Sequence, residues 1–233
     1  MKIALLGYGK MGKTIEAIAL ERGHTIVLKT SKTVNQAIKN ADVAIDFSIP
    51  GAAVNNITHC INHNIPVIYG TTGWLDQYDR MVQLCHEKQG AFIYASNFSL
   101  GVNIFFQLNK SLAKMMATLK DYAVSLEEIH HTQKLDAPSG TAISLANDII
   151  KNHDSYNHWA LDQNQEKTIP ITAKRIENVA GTHTVTYTSE VDTLEIKHTA
   201  HSRQGFALGA VVAAEWLHGK VGVFTMKDVL NIG

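Results

Sequence analysis

The residues best suited to chemistry lie in one short segment, Glu128 to Ala142. Two imidazoles, those of His130 and His131, are followed there by the ammonium group of Lys134. A histidine can transfer a proton near neutral pH, whereas a lysine is a fixed cation unless it is buried. Together these side chains can hold an anion and move a proton.

The end of the same segment predicts the start of a helix. Ser139 is a suitable N-cap, so the amides of Gly140 and Thr141 are expected at a helix N-terminus, where they can bind a carboxylate. A strand that extended through His130 and His131 would point the two rings to opposite faces, so they need not share a role. The segment therefore predicts a site for a ligand that carries carboxylates.

A second chemical motif stands near the beginning of the chain. A glycine pattern follows an apolar strand pattern and opens a helix pattern, which is the context that a dinucleotide-binding fingerprint requires. Its first glycine permits a tight turn, its second lets the backbone approach a pyrophosphate, and its third allows close packing of helix on strand. We therefore expect a nicotinamide dinucleotide to contact Gly7, Tyr8, Gly9, Lys10, Met11 and Gly12.

The end of the second predicted strand bears on the choice of cofactor. An NAD site usually places an acidic residue about 20 positions after the glycine motif, but Lys29 and Lys32 stand in that region. Two ammonium groups suit a 2′-phosphate, so the sequence favours NADPH and leaves the use of NADH open. The alternative is that both lysines belong to a solvated loop without a role.

Small and polar residues follow three further strand patterns, at 46–50, 70–73 and 95–98. Ligands of open α/β sheets bind beyond the carboxyl ends of the strands. The expected cofactor contacts from the last two segments are Gly70, Thr71, Thr72, Ala95, Ser96, Asn97 and Phe98.

Hydrophobic periodicity predicts an α/β protein that changes character after residue 98. Before that point strands alternate with helices, which favours a Rossmann-like doubly wound parallel sheet. The predicted strands are 2–6, 25–29, 43–47, 66–69 and 91–95, and the predicted helices are 11–22, 33–39, 51–63 and 75–88.

The later residues predict a second, α+β domain with a mixed, largely antiparallel sheet. Helices are expected at 100–119 and 139–150, and strands at 122–129, 182–188 and 193–199, the last two forming an antiparallel pair. Helices at 206–217 and 226–230 are then expected to return to the first domain. The polar stretch 152–168 is interpreted as a loop or flap.

Composition excludes several classes of partner. The 233 residues contain 21 Lys and Arg against 21 Asp and Glu, so no overall field attracts nucleic acid. No segment approaches the ~20 apolar residues needed to cross a bilayer. Cys60 and Cys85 stand alone without metal-like spacing, so neither a disulfide nor a metal site is expected, and reduced thiols suit a cytoplasmic protein.

These motifs together resemble the dihydrodipicolinate reductase family, and the resemblance runs almost end to end. It rests on the glycine motif, on the strand ends described above, on Ala95 to Asn103, on the segment His130 to Ala142, and on Ser202-Arg203 and Phe206 to Ala210. The His130 segment is the most specific of them.

The resemblance implies NAD(P)H-dependent reduction of 4-hydroxy-tetrahydrodipicolinate in the diaminopimelate route to lysine. It implies that His130 donates a proton and that His131 and Lys134 bind the substrate, with Lys134 also credited as a donor. Gly140 and Thr141 would cradle a substrate carboxylate.

The resemblance also implies a division of the chain into domains. Residues 1–98 and 207–233 would form the NAD(P)-binding Rossmann domain, and residues 99–206 would bind the substrate and assemble a homotetramer.

Two other functions are compatible with parts of the sequence. Another two-domain NAD(P)-dependent dehydrogenase, acting on an amino or imino acid, would share the glycine motif but would not need the histidine pair, the lysine and the Ser-Gly-Thr turn together. A non-catalytic nucleotide-sensing protein would be expected to have lost His130 or Lys134, and both are present.

Overall fold

A computed structural model describes residues 1–31, 34, 36–163 and 165–232. The contacts between Cα atoms group them into two compact units. Unit 1 contains Met1–Asn103 and the chain from Gln204 onward, and unit 2 contains Ile104–Arg203. The predicted domain limits at 98/99 and 206/207 stay a prediction.

Strands and helices are distributed along the whole described chain. The strands are β1 (Lys2–Leu6), β2 (Thr25–Thr30), β3 (Val43–Asp46), β4 (Val67–Tyr69), β5 (Ala91–Tyr94), β6 (Ala123–His130), β7 (His158–Leu161), β8 (Thr168–Arg175), β9 (Gly181–Thr188), β10 (Thr193–Ala200) and β11 (Gly222–Phe224). The α-helices are α1 (Lys10–Glu21), α2 (Ala53–Asn62), α3 (Tyr78–Glu87), α4 (Leu100–Met116), α5 (Gly140–Ile150), α6 (Gln204–Leu217) and α7 (Met226–Leu230). Short 3₁₀ helices lie at Gln36–Asn40, Pro50–Ala52 and Leu75–Gln77.

Unit 1 is built on a parallel sheet with the order β11-β5-β4-β3-β1-β2. Residues of β3 and β4 are buried throughout, as expected of apolar strands covered on both faces. Along β1, Ile3 and Leu5 pack on one face with residues of α1 and α6, whereas Ala4 and Leu6 pack on the other with residues of α2 and α3. Both cysteines are free and buried in this second cluster.

Unit 2 has a mixed sheet with the order β10-β9-β6-β8-β7. The β10–β9 and β9–β6 pairs are antiparallel, and the β6–β8 and β8–β7 pairs are parallel. Alternate residues of β6 are buried, among them Leu126, Glu128 and His130. Apolar residues of α4 and α5 pack with residues of this sheet to form the core of the unit.

The predicted fold class is confirmed, but one local prediction is wrong. The expected loop at 152–168 contains β7, which pairs with β8 at the edge of the sheet and is only half-buried, so polar residues are tolerated in it. Two strands were not predicted: β8 contains Pro170, which weakens a strand pattern, and β11 has only three residues. No helix in the described ranges is long and apolar enough to span a membrane.

Candidate active site

The loop after β1 has no room for side chains where it approaches β3 and α1. Gly7 has φ +90°, and a Cβ atom there would lie 2.3 Å from the carbonyl oxygen of Phe47. A Cβ atom at Gly12 would lie 2.3 Å from the carbonyl oxygen of Gly7. These two glycines are therefore required by the protein's own packing.

Gly9, in contrast, has open space around it. It precedes α1, and a Cβ atom built on it would meet nothing within 4 Å. The helix has no side-chain cap and no acidic residue in its first turn. Its first amides therefore lack intrahelical acceptors and carry the positive end of the helix dipole. An open approach to free amides fits the pyrophosphate of a dinucleotide.

A cleft of about 540 Å³ lies beside this loop, between the carboxyl ends of β1 and β3. Strand order reverses at this point of the sheet, which is where open α/β folds bind ligands. The lining residues are Gly7, Tyr8, Gly9, Ser31, Phe47, Ser48, Ile49, Gly51, Ala52, Asn55 and Asn56. The first three were predicted as cofactor contacts, while Asn55 and Asn56 were missed.

Asp46 anchors one wall of the cleft. This fully buried carboxylate accepts hydrogen bonds from the Ser48 amide, at 2.8 Å, and from Asn56 Nδ2, at 2.6 Å. Burial raises the pKa of Asp46 to about 6, although its hydrogen bonds act in the opposite direction. Asn56 was detectable in the sequence as a polar residue on the otherwise apolar buried face of α2.

The other predicted cofactor residues of unit 1 follow β4 and β5, at the same edge of the sheet but outside this cleft. A Cβ atom on Gly70 would lie 2.4 Å from the ring of Phe47, and Phe98 packs edge-on against the same ring at 5.8 Å. Thr71 is buried and Thr72 is exposed. Phe47 thus connects the ends of three neighbouring strands.

Lys29 already has an acidic partner. Its Nζ atom lies 3.0 Å from Oε1 of Glu16 and 5.0 Å from the centre of the Tyr8 ring, and the Tyr8 hydroxyl donates to the same carboxylate. The 2′-phosphate assignment of Lys29 stays a prediction, with Glu16 as a competitor that the sequence did not reveal. Lys32 lies outside the described residues.

In unit 2, β6 ends at His130 and places Glu128 on the same buried face. Glu128 Oε2 lies 3.2 Å from His130 Nδ1, within ion-pair distance although outside hydrogen-bond geometry. The same oxygen accepts the Ser139 amide at 3.0 Å, and Oε1 accepts from Arg175 Nη2 at 3.1 Å. Burial works to raise the pKa of Glu128, but these contacts outweigh it and lower the pKa to about 2.

His183 lies beside this cluster as a neutral ring. Burial lowers its pKa to about 4, and the charge of His130 acts in the same direction. The Ser139 hydroxyl accepts the Ala142 amide at 3.2 Å and lies 3.0 Å from His183 Nε2, so its own proton is available for that nitrogen. The rings of His130 and His183 meet edge-on, 5.0 Å apart.

His131 and Lys134 follow the end of β6. They lie in a turn that is closed by a 3.1 Å hydrogen bond from the Lys134 amide to the His131 carbonyl. The Lys134 Nζ atom lies 2.8 and 2.7 Å from the two carboxylate oxygens of Asp136. Any other anion at Lys134 would therefore have to replace Asp136. The strand stops before His131, so the two rings do not alternate along one strand.

Helix α5 begins where the sequence predicted. Ser139 is the N-cap, and its side chain accepts a hydrogen bond from the amide of Ala142. The amides of Gly140 and Thr141, the first two of the helix, have no intrahelical acceptor. Gly140 is exposed, with nothing within 4 Å of an added Cβ atom. This helix end is free to bind an anion.

The sequence-based prediction included Glu128 in the segment but gave it no role, and it missed Arg175 and His183. A signal for Glu128 was present, since a residue two positions before His130 in a strand shares its face. Arg175 and His183 lie on β8 and β9, far away in sequence, and only the pairing of these strands with β6 brings them to the cluster.

The two parts of the chain match two models of one family. Residues 1–98 match the N-terminal model of dihydrodipicolinate reductase, and residues 101–230 match the C-terminal model. The chain belongs to the dihydrodipicolinate reductase family. The resemblance predicted from the sequence motifs is thereby confirmed.

Individual relatives agree with this family. A 4-hydroxy-tetrahydrodipicolinate reductase of Christiangramia forsetii is 60% identical over 99% of this chain and 98% of its own length. One from Neisseria gonorrhoeae is 33% identical over 93% of this chain and 84% of its own length.

Solved structures share the fold of this dihydrodipicolinate reductase family member. A dipicolinate-bound dihydrodipicolinate reductase from Paenisporosarcina sp. TG-14 has a TM-score of 0.79 at 21% identity and covers 97% of both chains. An aspartate dehydrogenase from Thermotoga maritima has a TM-score of 0.52 at 13% identity, covering 95% of this chain and 98% of its own. At these identities the similarity concerns the fold alone.

Proposed function

We propose that the chain reduces 4-hydroxy-tetrahydrodipicolinate to tetrahydrodipicolinate with NADPH or NADH, in the diaminopimelate route to lysine. The observation that carries the proposal is the turn after β6. Within twelve residues, from His130 to Thr141, it brings together an imidazole that lies beside a carboxylate, an ammonium group and a free helix N-terminus. The relative that is 60% identical is a 4-hydroxy-tetrahydrodipicolinate reductase, which supports the same reaction.

The cofactor would be held by unit 1. The open backbone at Gly9 and the first amides of α1 suit its pyrophosphate, and the cleft between β1 and β3 suits part of its nucleoside. Gly70 to Thr72 and Ala95 to Phe98 are the proposed contacts at the neighbouring strand ends. When bound, the reduced nicotinamide supplies the hydride of the reaction.

The substrate would be held by unit 2 through its two carboxylates. Lys134 and His131 are the proposed ligands of one, and the amides of Gly140 and Thr141 are the proposed donors to the other. His130 would donate a proton from Nε2, because its Nδ1 faces Glu128. In sum, one hydride and one proton are added to the substrate and one water leaves it.

Assembly and location are further proposals. A homotetramer is proposed from the family resemblance, and light scattering of the purified chain measures it. A cytoplasmic location is proposed from the free, buried cysteines and the biosynthetic role, and fractionation of cells that express a tagged chain checks it.

One assay separates this function from its rivals. The purified chain is mixed with the condensation product of pyruvate and aspartate semialdehyde, and the nicotinamide absorbance is followed. We expect oxidation of NADPH, NADH or both. An amino-acid dehydrogenase would instead reduce the oxidised cofactor with diaminopimelate or aspartate. Cofactor binding without any turnover would identify a sensor. Failure to oxidise either reduced cofactor overturns the proposal.

Two variants test the roles within the site. His130→Gln should lower kcat by about 10²- to 10⁴-fold, the usual contribution of an acid or base group, with little change in substrate KM. Lys134→Ala should lower kcat and raise KM together, because this side chain is proposed to bind the substrate as well. His86→Gln, on an exposed position of α3, is the matched control and should behave as wild type.

A further inference from the structure

Glu128 is fully buried, and the proposed reaction gives it no contact with the substrate. Keeping a carboxylate ionised away from water is costly unless it is paired and hydrogen-bonded. The neighbours of this side chain therefore indicate why it is there.

The two oxygens of Glu128 have separate partners. Oε1 accepts from the guanidinium of Arg175 at 3.1 Å, which neutralises the carboxylate. Oε2 accepts the Ser139 amide at 3.0 Å and faces His130 Nδ1 at 3.2 Å. The carboxylate is thus fixed by an arginine and a backbone amide. Of the two imidazoles beside it, His130 is the nearer, since His183 Nε2 lies 3.8 Å from the same oxygen.

A metal ion is a poorer explanation for the same cluster. Glu128, His130 and His183 do place potential ligand atoms within 4.8 Å of one another. Arg175, however, already supplies the positive charge, and the Ser139 hydroxyl lies at hydrogen-bond distance from the His183 nitrogen that would have to bind the ion. Hydrogen bonds account for Glu128 and His183, and the ion-pair contact with Glu128 accounts for His130.

The contact on Nδ1 determines what the other ring nitrogen can do. A carboxylate oxygen 3.2 Å from Nδ1 favours a proton on that nitrogen, so Nε2 holds the proton that can leave, and the ring is neutral once it has left. Nε2 lies beside Gly181, where an added Cβ atom would come within 3.2 Å of it. The glycine keeps the surroundings of this nitrogen free of a side chain.

Arg175 extends the effect of Glu128 to the lysine. Its Nε atom donates to the carbonyl of Lys134 at 3.3 Å, and Nη2 donates to the carbonyl of Asp136 at 2.7 Å. The guanidinium therefore joins the buried carboxylate to the turn that carries Lys134.

We propose that Glu128 is a positioning residue for the reductase reaction. Its carboxylate orients His130 with the transferable proton on Nε2, and through Arg175 it holds the turn that carries Lys134. This inference rests on the proposed function, because it assigns His130 as the proton donor.

A double-mutant cycle tests whether Glu128 acts through His130. Glu128→Gln should lower kcat by about 10- to 100-fold, by analogy with the loss found when a carboxylate that orients a metal-binding imidazole is removed. In the His130→Gln background the same change should lower kcat by clearly less than in the wild type, because residues that act as a unit are not additive, and the loss that remains is the effect through Arg175 on the Lys134 turn. Glu127→Gln, its neighbour on the same strand with a surface partner in Lys174, is the matched control and should stay near wild type.

Additive losses in the cycle, or normal turnover of a folded Glu128→Gln variant, overturn the positioning role. Circular dichroism and thermal melting establish whether each variant is folded. If Glu128→Gln does not fold because Arg175 is left unpaired, Glu128→Asp takes its place in the cycle, since it keeps the charge but moves the carboxylate away from His130.

Histidine NMR on the wild-type chain tests the orientation without any variant at Glu128. With labelled histidines, assigned by the signal lost in His130→Gln, the neutral ring of His130 should carry its proton on Nδ1. A proton on Nε2 overturns the inference. An inactive wild type would instead refute the proposed function, so the two failures can be told apart.

Discussion

Two of the lysines proposed to bind anions, Lys134 and Lys29, have an acidic partner within their own unit. Lys134 is paired with both oxygens of Asp136, and Lys29 with Glu16. Anion binding at either site is therefore an exchange of carboxylate for ligand. Because solvent-exposed ion pairs add little net stability, the exchange is easily reversed, and neither acid blocks its site.

Cofactor choice tests this exchange at Lys29. Replacing Lys29 and Lys32 by alanine should raise KM for NADPH more than KM for NADH, because only NADPH carries a 2′-phosphate. Glu16→Gln should have the opposite effect and lower KM for NADPH by up to about fivefold, since it removes the competing acid. Steady-state kinetics with both cofactors measure this. Equal changes for NADPH and NADH would mean that the lysines are merely solvated.

Sequence reasoning identified the groups proposed to contact ligands but not the groups that hold them. His130, Lys134 and the start of α5 stand close together in the chain, so their types and spacing predicted a site. Arg175 is far from Glu128 in sequence, and only the β6–β8 pairing brings it near. Glu16, which pairs with Lys29, was also missed. The sequence alone does not show that this face of α1 lies beside the end of β2.

At the scale of elements, α6 makes an unusually close backbone contact. Gly209 lies where a Cβ atom would be 1.7 Å from the carbonyl oxygen of Phe98. Phe98 follows β5 and packs on Phe47, which lines the cleft proposed to bind the cofactor. The position of α6 and the shape of the candidate cofactor site are thus linked through one backbone contact.

Gly209→Ala should destabilise the chain by about 1–3 kcal/mol or more, because overpacking against backbone cannot be relieved by a rotamer change. Gly205→Ala, in the same helix, is the matched control. Its Cβ atom would meet only the Ser99 hydroxyl at 3.7 Å, so we expect a neutral or slightly stabilising effect. Urea unfolding monitored by circular dichroism measures both, and equal midpoints for the two variants would contradict the packing argument.

The elements themselves were predictable wherever their patterns were long. The strands before residue 98 and the β9–β10 pair follow apolar or alternating patterns and lie near the expected limits. The strands that escaped prediction owe their conformation to partners: β7 and β11 lie at sheet edges, and β8 accommodates Pro170 beside β7.

At the scale of the whole molecule, buried groups in the two units respond to pH with opposite signs. Burial raises the pKa of Asp46, in unit 1, from the ordinary value of 3.8 to about 6. Burial lowers the pKa of His183, in unit 2, from the ordinary value of 6.5 to about 4. Acidification therefore favours the folded state at Asp46 and the unfolded state at His183. Glu128 adds a loss of stability only as the pH falls from about 4.5 to about 2.

Asp46→Asn should remove the stabilisation of the folded state that proton binding to Asp46 provides at acidic pH. Between about pH 7 and pH 5, we expect the urea midpoint of this variant to fall more steeply than that of the wild type, because the opposing effect of His183 is then uncompensated. Urea titrations at several pH values measure the two slopes. Parallel slopes would show that the pKa of Asp46 is not higher in the folded state than in the unfolded state.

The division of unit 1 between two stretches of chain has a consequence for synthesis on the ribosome. Translation delivers β1 to β5 first, but one face of their sheet is covered by Ala210, Val211, Ala214 and Leu217, which are made some hundred residues later. Unit 2 is an unbroken stretch whose strands are all translated in between. The first strands to leave the ribosome are therefore among the last to have both faces covered.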